Sequence, residues 1–80
     1  MVEQNKEAAT EDYLFLCARL APWIQAVKDG IHEGNLHAAK EAWEELDWWQ
    51  HQALWKAPSK GGVFSTYERS VMRSEEWREI

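Results

Sequence analysis

Apolar residues recur at spacings of three and four along most of this chain, which is the pattern of amphipathic helices. The first stripe begins at Tyr13 and ends at Val27, and Gly30 is predicted to terminate its helix. Pro22 lies within the stripe and predicts either a kink or a break at which it opens a second short helix. The residues that share this stripe are Tyr13, Leu16, Cys17, Leu20, Ile24 and Val27.

A second stripe follows the turn signal Gly34-Asn35, in which Asn35 is a natural helix cap. Asp47 and Gln50 then form an Asp-x-x-Gln capping pattern, so a helix either restarts at Asp47 or continues through it as one rod. Both alternatives keep the segment helical. The second stripe consists of Leu36, Ala39, Trp43 and Leu46.

A loop is predicted at residues 57–64, where one proline and two adjacent glycines interrupt the helical pattern. Ser65 and Glu68 form a capping box, which predicts that the last helix starts there. The residues that we expect to face inward from this part of the chain are Tyr67, Val71, Met72 and Trp77.

These elements predict an all-α fold, a compact bundle of three to four short helices around a tryptophan-rich core. The 80 residues are 45% hydrophobic and include six tryptophans, which suits one small domain. Residues 1–9 are polar and lack an apolar stripe, so they are predicted to form a flexible tail, with Thr10 as the first residue suited to cap a helix. A single helical domain is expected over residues 10–80.

Charge is unevenly distributed along the chain. Nine basic and fourteen acidic residues give a net charge of −5, which argues against attraction of the whole surface to nucleic acid or anionic lipid. Residues 30–55 carry five acids against one base, a balance of −4, whereas residues 56–80 carry five bases against four acids, a balance of +1. The middle of the chain is therefore acidic and the carboxyl-terminal third mildly basic.

The residue types that commonly perform chemistry are sparse. Cys17 is the single cysteine and cannot form an internal disulfide, so a reducing compartment, the cytoplasm, is expected. The spacings of Cys17, His32, His37 and His51 match no zinc pattern, and no metal or cofactor is predicted. No signal peptide or membrane-spanning run is recognised. We expect a protein that is not an enzyme.

Three tryptophans crowd one helical segment. Trp48 and Trp55 are one heptad apart on one face, whereas Trp49 lies about 100° round the helix. All three cannot face the core, and an exposed tryptophan is a candidate hot spot for protein binding. Trp48 and Trp49 are therefore candidate protein-binding residues.

Glu41, Glu44 and Glu45 recur at spacings of three and four, so they form an acidic ridge along one helix face. The ridge is either a solvated helix face or a surface offered to a basic partner. In the second case, the three glutamates join Trp48 and Trp49 as the predicted protein-binding site.

The basic carboxyl-terminal third supports an alternative, a contact with nucleic acid. Lys56, Lys60, Arg69 and Arg73 would meet the phosphates, and Trp55 would stack on a base. The glycines after Lys60 do not complete a Walker motif, so nucleotide hydrolysis is not expected.

Two segments resemble known families. Residues 53–69, which read Ala-Leu-Trp-Lys-Ala-Pro-Ser-Lys-Gly-Gly-Val-Phe-Ser-Thr-Tyr-Glu-Arg, resemble a segment of small phage and prophage proteins of replication and recombination. That resemblance implies a viral or prophage context near nucleic-acid machinery. Residues 34–46, with their glycine, asparagine, leucine, alanine and tryptophan, are similar to one tetratricopeptide-type helical hairpin. No second copy is present, so only the hairpin is implied.

These observations together predict a non-enzymatic phage-type interaction protein that binds a basic surface of a host protein. Inhibition of a nucleic-acid-processing or defence complex, as by anti-CRISPR proteins, is the concrete form of this hypothesis and is an analogy. The alternative is a nucleic-acid-binding accessory protein of phage replication or recombination. A homodimer formed through exposed tryptophans is a third expectation.

Overall fold

The computed structural model describes residues 13–80, and the chain is all-α over this range, which confirms the predicted class. None of the helices within that range has the length and apolar character needed to span a lipid bilayer. The predicted tail at residues 1–9 and the predicted cap at Thr10 lie outside the described residues. The elements are α1, of which residues 13–19 are described, α2 Ala21–Glu33, α3 Leu36–Glu44, α4 Trp48–Leu54, a 3-10 turn at Pro58–Lys60, α5 Thr66–Met72 and α6 Glu75–Glu79.

A break at Leu20 separates α1 from α2. Ala21 and Pro22 occupy the first two positions of α2, where the missing proline N–H costs no intrahelical hydrogen bond. Leu20 N donates to Leu16 O and Ile24 N donates to Leu20 O, each at 2.9 Å, so the buried stripe continues across the break. Of the two alternatives at Pro22, the break that opens a new helix is correct.

Gly30 lies inside α2 and does not end it, so the predicted terminus was wrong. The helix continues to Glu33, and Gly34, with φ at 79°, provides a left-handed cap. Gly30 instead allows close packing, because a Cβ atom there would lie 2.7 Å from Ala39 Cβ and 2.9 Å from Ala39 N. Helices α2 and α3 therefore meet backbone to backbone, as a helical hairpin joined by residues 34–35.

The apolar segment that follows is divided into two helices at Asp47. The side chain of Asn35 caps α3 by accepting from Ala38 N at 3.3 Å. Asp47 and Gln50 form the predicted capping box, in which Gln50 Oε1 accepts from Asp47 N at 2.7 Å, so the restart at Asp47 is correct. Residues 13–80 consequently hold six α-helical segments instead of three to four, because each cap and Pro22 begins a helix of its own.

The predicted loop at residues 57–64 crosses from α4 to α5 and contains the 3-10 turn. Gly61 adopts φ of 84°, a left-handed conformation that suits glycine. Phe64 at the end of the loop is fully buried and anchors it to the core. The capping box predicted for Ser65 and Glu68 is present at the start of α5.

The core is more aliphatic than the tryptophan content predicts. Trp77 is buried as expected, whereas Trp43 and Trp55 are half-buried against the core. Tyr67 was predicted to face inward but is 58% exposed, because the neighbouring Glu68 takes the inward position on α5. The buried apolar residues are Leu16, Leu20, Ile24, Val27, Ile31, Ala39, Ala42, Leu46, Leu54, Phe64, Met72 and Trp77.

Glu68 is a buried carboxylate, with only 2% of its surface exposed, and it binds two side chains of α2 and the backbone at the start of its own helix. Its Oε1 atom accepts from Ser65 N at 2.8 Å and from Lys28 Nζ at 3.0 Å. Its Oε2 atom lies 2.6 Å from His32 Nε2, and Lys28 also donates to Val63 O at 2.7 Å. This ion cluster ties α2 to the loop and to α5.

The stability of the protein is expected to fall as the pH drops through the titration range of Glu68. Burial raises the pKa of this carboxyl, but hydrogen bonds from Ser65, His32 and Lys28 outweigh burial and lower the pKa from 4.5 to about 2. Between these values the unfolded chain binds more protons than the folded one, so protonation favours unfolding. The contribution of the ionised Glu68 carboxylate to the free energy of unfolding is fully present above pH 4.5 and is lost as the pH falls toward about 2.

Urea titrations of the wild type and of Glu68→Gln across this pH interval measure that contribution. The difference in unfolding free energy between the two proteins should shrink as the pH falls, because the variant has no carboxylate to protonate. A difference that stays constant with pH would show that the folded-state pKa of Glu68 is not lowered.

Candidate protein-binding surface

Trp48 and Trp49, hereafter the tryptophan pair, open α4 and are exposed. Their exposed fractions are 74% and 54%. Gln50 and Leu54 take the buried positions of this short helix, one turn apart, so the two preceding residues fall outside the core. The prediction that the tryptophans of this segment cannot all be buried is confirmed, and two of the three are more than half exposed.

The three residues of the acidic ridge, Glu41, Glu44 and Glu45, are all exposed at the end of α3. Glu44 Oε1 lies 4.0 Å from Lys40 Nζ, at the limit of an ion pair. Trp48 follows Glu45 by three residues, so their Cα atoms lie within about 11 Å of each other. The end of the ridge at Glu45 and the start of the tryptophan pair are therefore close along the chain, and both are exposed.

A third indole, which the sequence did not identify, belongs to the same surface. Trp23 is 37% exposed at the start of α2, and its Nε1 atom donates to Glu45 Oε2 at 2.9 Å. This bond orients one carboxylate of the ridge beside an aromatic ring. The only sequence signal for Trp23 is its position just after Pro22 and outside the buried stripe, which indicates exposure but not the partner.

The residues predicted for nucleic-acid binding are partly engaged within the fold. Lys56 Nζ lies 3.8 Å from the centre of the Tyr13 ring, and the Arg69 guanidinium lies 4.9 Å from the centre of the Trp55 ring. A base cannot stack on the face of Trp55 that Arg69 covers. Lys60 is exposed at the end of the 3-10 turn.

Arg73 is exposed and lines a cleft of about 260 Å³ together with Trp55. The cleft is also lined by Trp43 and His51, whose rings stack with centres 4.1 Å apart. Arg73 and Trp55 are thus brought together, whereas Lys56 lines a different groove, with Tyr13. The five predicted residues do not all line one cleft.

Metal-ligating residues are dispersed in the described part of the chain. Residues 13–80 contain no group of three or more histidine, cysteine, aspartate or glutamate side chains that could hold a metal ion. His32 lies against Glu68 in the ion cluster, and His51 Nε2 is 2.6 Å from Trp43 O. These two histidines therefore have structural contacts.

Comparison with known proteins returns no relative: no protein-family model, no curated protein and no solved structure matches this chain.

Proposed function

We propose that this protein is a non-enzymatic interaction protein that binds a basic surface of a partner protein through the acidic ridge and the tryptophan pair. The observation that carries the proposal is the exposure of Trp48 and Trp49, 74% and 54%, beside three exposed carboxylates. Large apolar side chains that remain in water next to charged groups are typical of interaction sites.

The two parts of this surface contribute to binding in different ways. Carboxylates attract a basic partner over a distance and orient its approach, which raises the association rate. Tryptophan side chains bury a large area when they enter a partner's pocket, which slows dissociation. Trp23 adds a third aromatic edge, held in place by its hydrogen bond to Glu45.

The resemblance of residues 53–69 to phage and prophage proteins supplies the biological context of the proposal. In this context the protein acts in the cytoplasm of the host cell and inhibits a nucleic-acid-processing or defence complex, as anti-CRISPR proteins do. Complexes that handle nucleic acid present basic surfaces for phosphates, and an acidic ridge complements such surfaces.

Charge reversal of the ridge is expected to lower recovery of the partner about tenfold, because the approach of a basic surface is no longer favoured. The tagged wild type and the variant E41K/E44K/E45K are used to capture partners from host lysate treated with nuclease, and the captured proteins are quantified by mass spectrometry. The matched control is E33K/E75K/E79K, which makes the same charge change at exposed residues outside the ridge. Circular dichroism confirms that each variant is folded.

Equal recovery by the ridge variant and the control would contradict the proposal. If the wild type recovers a partner from untreated lysate but not from lysate treated with nuclease, the alternative replaces this proposal. The protein would then be a nucleic-acid-binding accessory protein that uses Lys56, Lys60 and Arg73. The exposure of these three side chains is the observation that supports this alternative. Its binding to a labelled oligonucleotide should weaken steeply as salt is raised from low to physiological concentration.

A further inference from the structure

A groove of about 520 Å³ runs between α1 and α4, and none of the three glutamates of the acidic ridge lines it. Its apolar lining comes from Phe15 and Leu16 on α1 and from Trp49 and Ala53 on α4. Arg19 and Lys56 supply the charged part of the lining. We call this feature the basic groove.

The walls of the basic groove are large apolar side chains left in water. Phe15 is 65% exposed and Trp49 is 54% exposed, and the adjacent Leu14 is 63% exposed. Phe15 on α1 and Trp49 on α4 each contribute an aromatic ring to this open channel, and the buried Leu16 also lines it. An open apolar channel of this kind can accept the apolar face of a further helix.

The charge of the groove is opposite to that of the protein. The chain has a net charge of −5, yet among residues 13–80 the charged side chains of the lining are both cations and no carboxylate lines the groove. Within residues 13–80, neither Arg19 nor Lys56 forms a salt bridge. The lining therefore complements an acidic occupant.

Contacts within the chain hold one wall of the groove in place before any partner binds. Tyr13 OH donates to Gly61 O at 3.1 Å, which joins α1 to the loop, and Lys56 lies over the ring of Tyr13 at 3.8 Å. Burial, with a smaller contribution from Cys17, raises the pKa of Tyr13 to about 12, so the hydroxyl remains a hydrogen-bond donor. A preformed wall lowers the entropic cost of binding.

We propose that the basic groove binds an amphipathic helix of a partner protein, with the apolar face of that helix between Phe15 and Trp49 and its carboxylates against Arg19 and Lys56. A second copy of this chain is disfavoured, because a two-fold axis through the groove would bring like cations together. An anionic lipid surface is also disfavoured, because a membrane would face the whole protein, whose net charge is −5, whereas a helix would contact the groove alone. This proposal shares Trp49 with the proposed function but does not depend on the acidic ridge.

Two synthetic amphipathic helices test this assignment. Both carry the same leucine and phenylalanine face, and their polar faces carry glutamates in one peptide and lysines in the other. Fluorescence polarisation with the full chain should show about tenfold tighter binding of the glutamate peptide. The variant R19E/K56E should remove that preference, while the control K60E/R78E, with the same charge change at exposed residues outside the groove, should keep it.

The apolar contact is tested separately with Phe15→Ala, which should weaken binding of the glutamate peptide about tenfold. Amide chemical-shift changes on addition of the peptide should map to α1 and α4. Tighter binding of the lysine peptide, binding of neither peptide, or shift changes confined to the acidic ridge would each overturn the proposal. A dimer in sedimentation velocity that Phe15→Ala abolishes would assign the groove to a second copy and overturn the proposal as well. Because these variants leave Glu41, Glu44 and Glu45 intact, failure here is distinguishable from failure of the proposed function.

Discussion

Replacement of Glu68 by alanine is expected to lower the free energy of unfolding by about 3 kcal/mol. The substitution leaves Lys28 without its counterion and Ser65 N without its acceptor, in a site where Glu68 is 2% exposed. Removal of one partner from a buried ion pair costs about 3 to 5 kcal/mol. The lower figure applies here because Lys28 and His32 are partly exposed, so water can solvate them once the carboxylate is gone. For a domain of this size the melting temperature should fall by about 15 °C.

Thermal and urea unfolding followed by circular dichroism measure this loss. The matched control is Glu33→Ala, which removes an exposed carboxylate at the end of α2 and should change stability by less than about 0.5 kcal/mol. Glu68→Gln retains the side-chain volume and an acceptor for Ser65 N, so it should be less destabilising than the alanine variant. A melting temperature of Glu68→Ala within two degrees or so of the wild type would refute the structural role of the ion cluster.

Replacement of Gly30 by alanine is expected to destabilise the protein by about 3 kcal/mol, although the same change in an exposed helix interior stabilises by about 1 kcal/mol. The new Cβ atom would lie 2.7 Å from Ala39 Cβ, 2.8 Å from Asn35 O and 2.9 Å from Ala39 N. Two of these neighbours are backbone atoms, which cannot move aside as a flexible side chain does. Helices α2 and α3 would have to separate along their closest contact.

The control for this prediction is Ala26→Gly, at an exposed position of the same helix. It introduces glycine where nothing requires it and should cost about 1 kcal/mol. If Gly30→Ala instead raises the urea midpoint, the two helices are farther apart than described and the close approach at Gly30 is incorrect.

Local signals in the sequence predicted most of the helix boundaries. Asn35, Asp47 and Ser65 each begin a helix as expected, since a capping side chain acts on the amides of its own first turn. The break at Pro22 also follows from local geometry. Such interactions span three or four residues and can be read without knowledge of the fold.

Features that depend on contacts between distant segments could not be predicted in this way. The helix continues through Gly30 because Ala39 packs against it, whereas in sequence alone a glycine after an apolar stripe indicates a helix end. Tyr67 is outside and Glu68 inside because Lys28 and His32, 36 to 40 residues away, supply the partners that make a buried carboxylate favourable.

The candidate binding surfaces also combine local features that the sequence predicts with contacts between distant residues that it does not predict. Helix geometry predicts that Trp48, Trp49 and Trp55 cannot all be buried, because Trp49 lies about 100° from the face that Trp48 and Trp55 share. It does not predict that both Trp48 and Trp49 are exposed. The hydrogen bond from Trp23 to Glu45 and the basic groove could not be predicted, because each joins residues from two helices that the sequence does not place side by side.

The two-residue connection between α2 and α3 also bears on the order in which the protein folds. Closing a short connection costs little chain entropy, so the hairpin is expected in the folding transition state, whereas Glu68 must meet residues 36 to 40 positions away and should do so later. In stopped-flow kinetics, Gly30→Ala should then mainly slow folding, and Glu68→Ala should mainly accelerate unfolding. Equal effects of Glu68→Ala on both rates would exclude this order. The ion cluster would thus determine how long the native state persists more than how quickly it is reached.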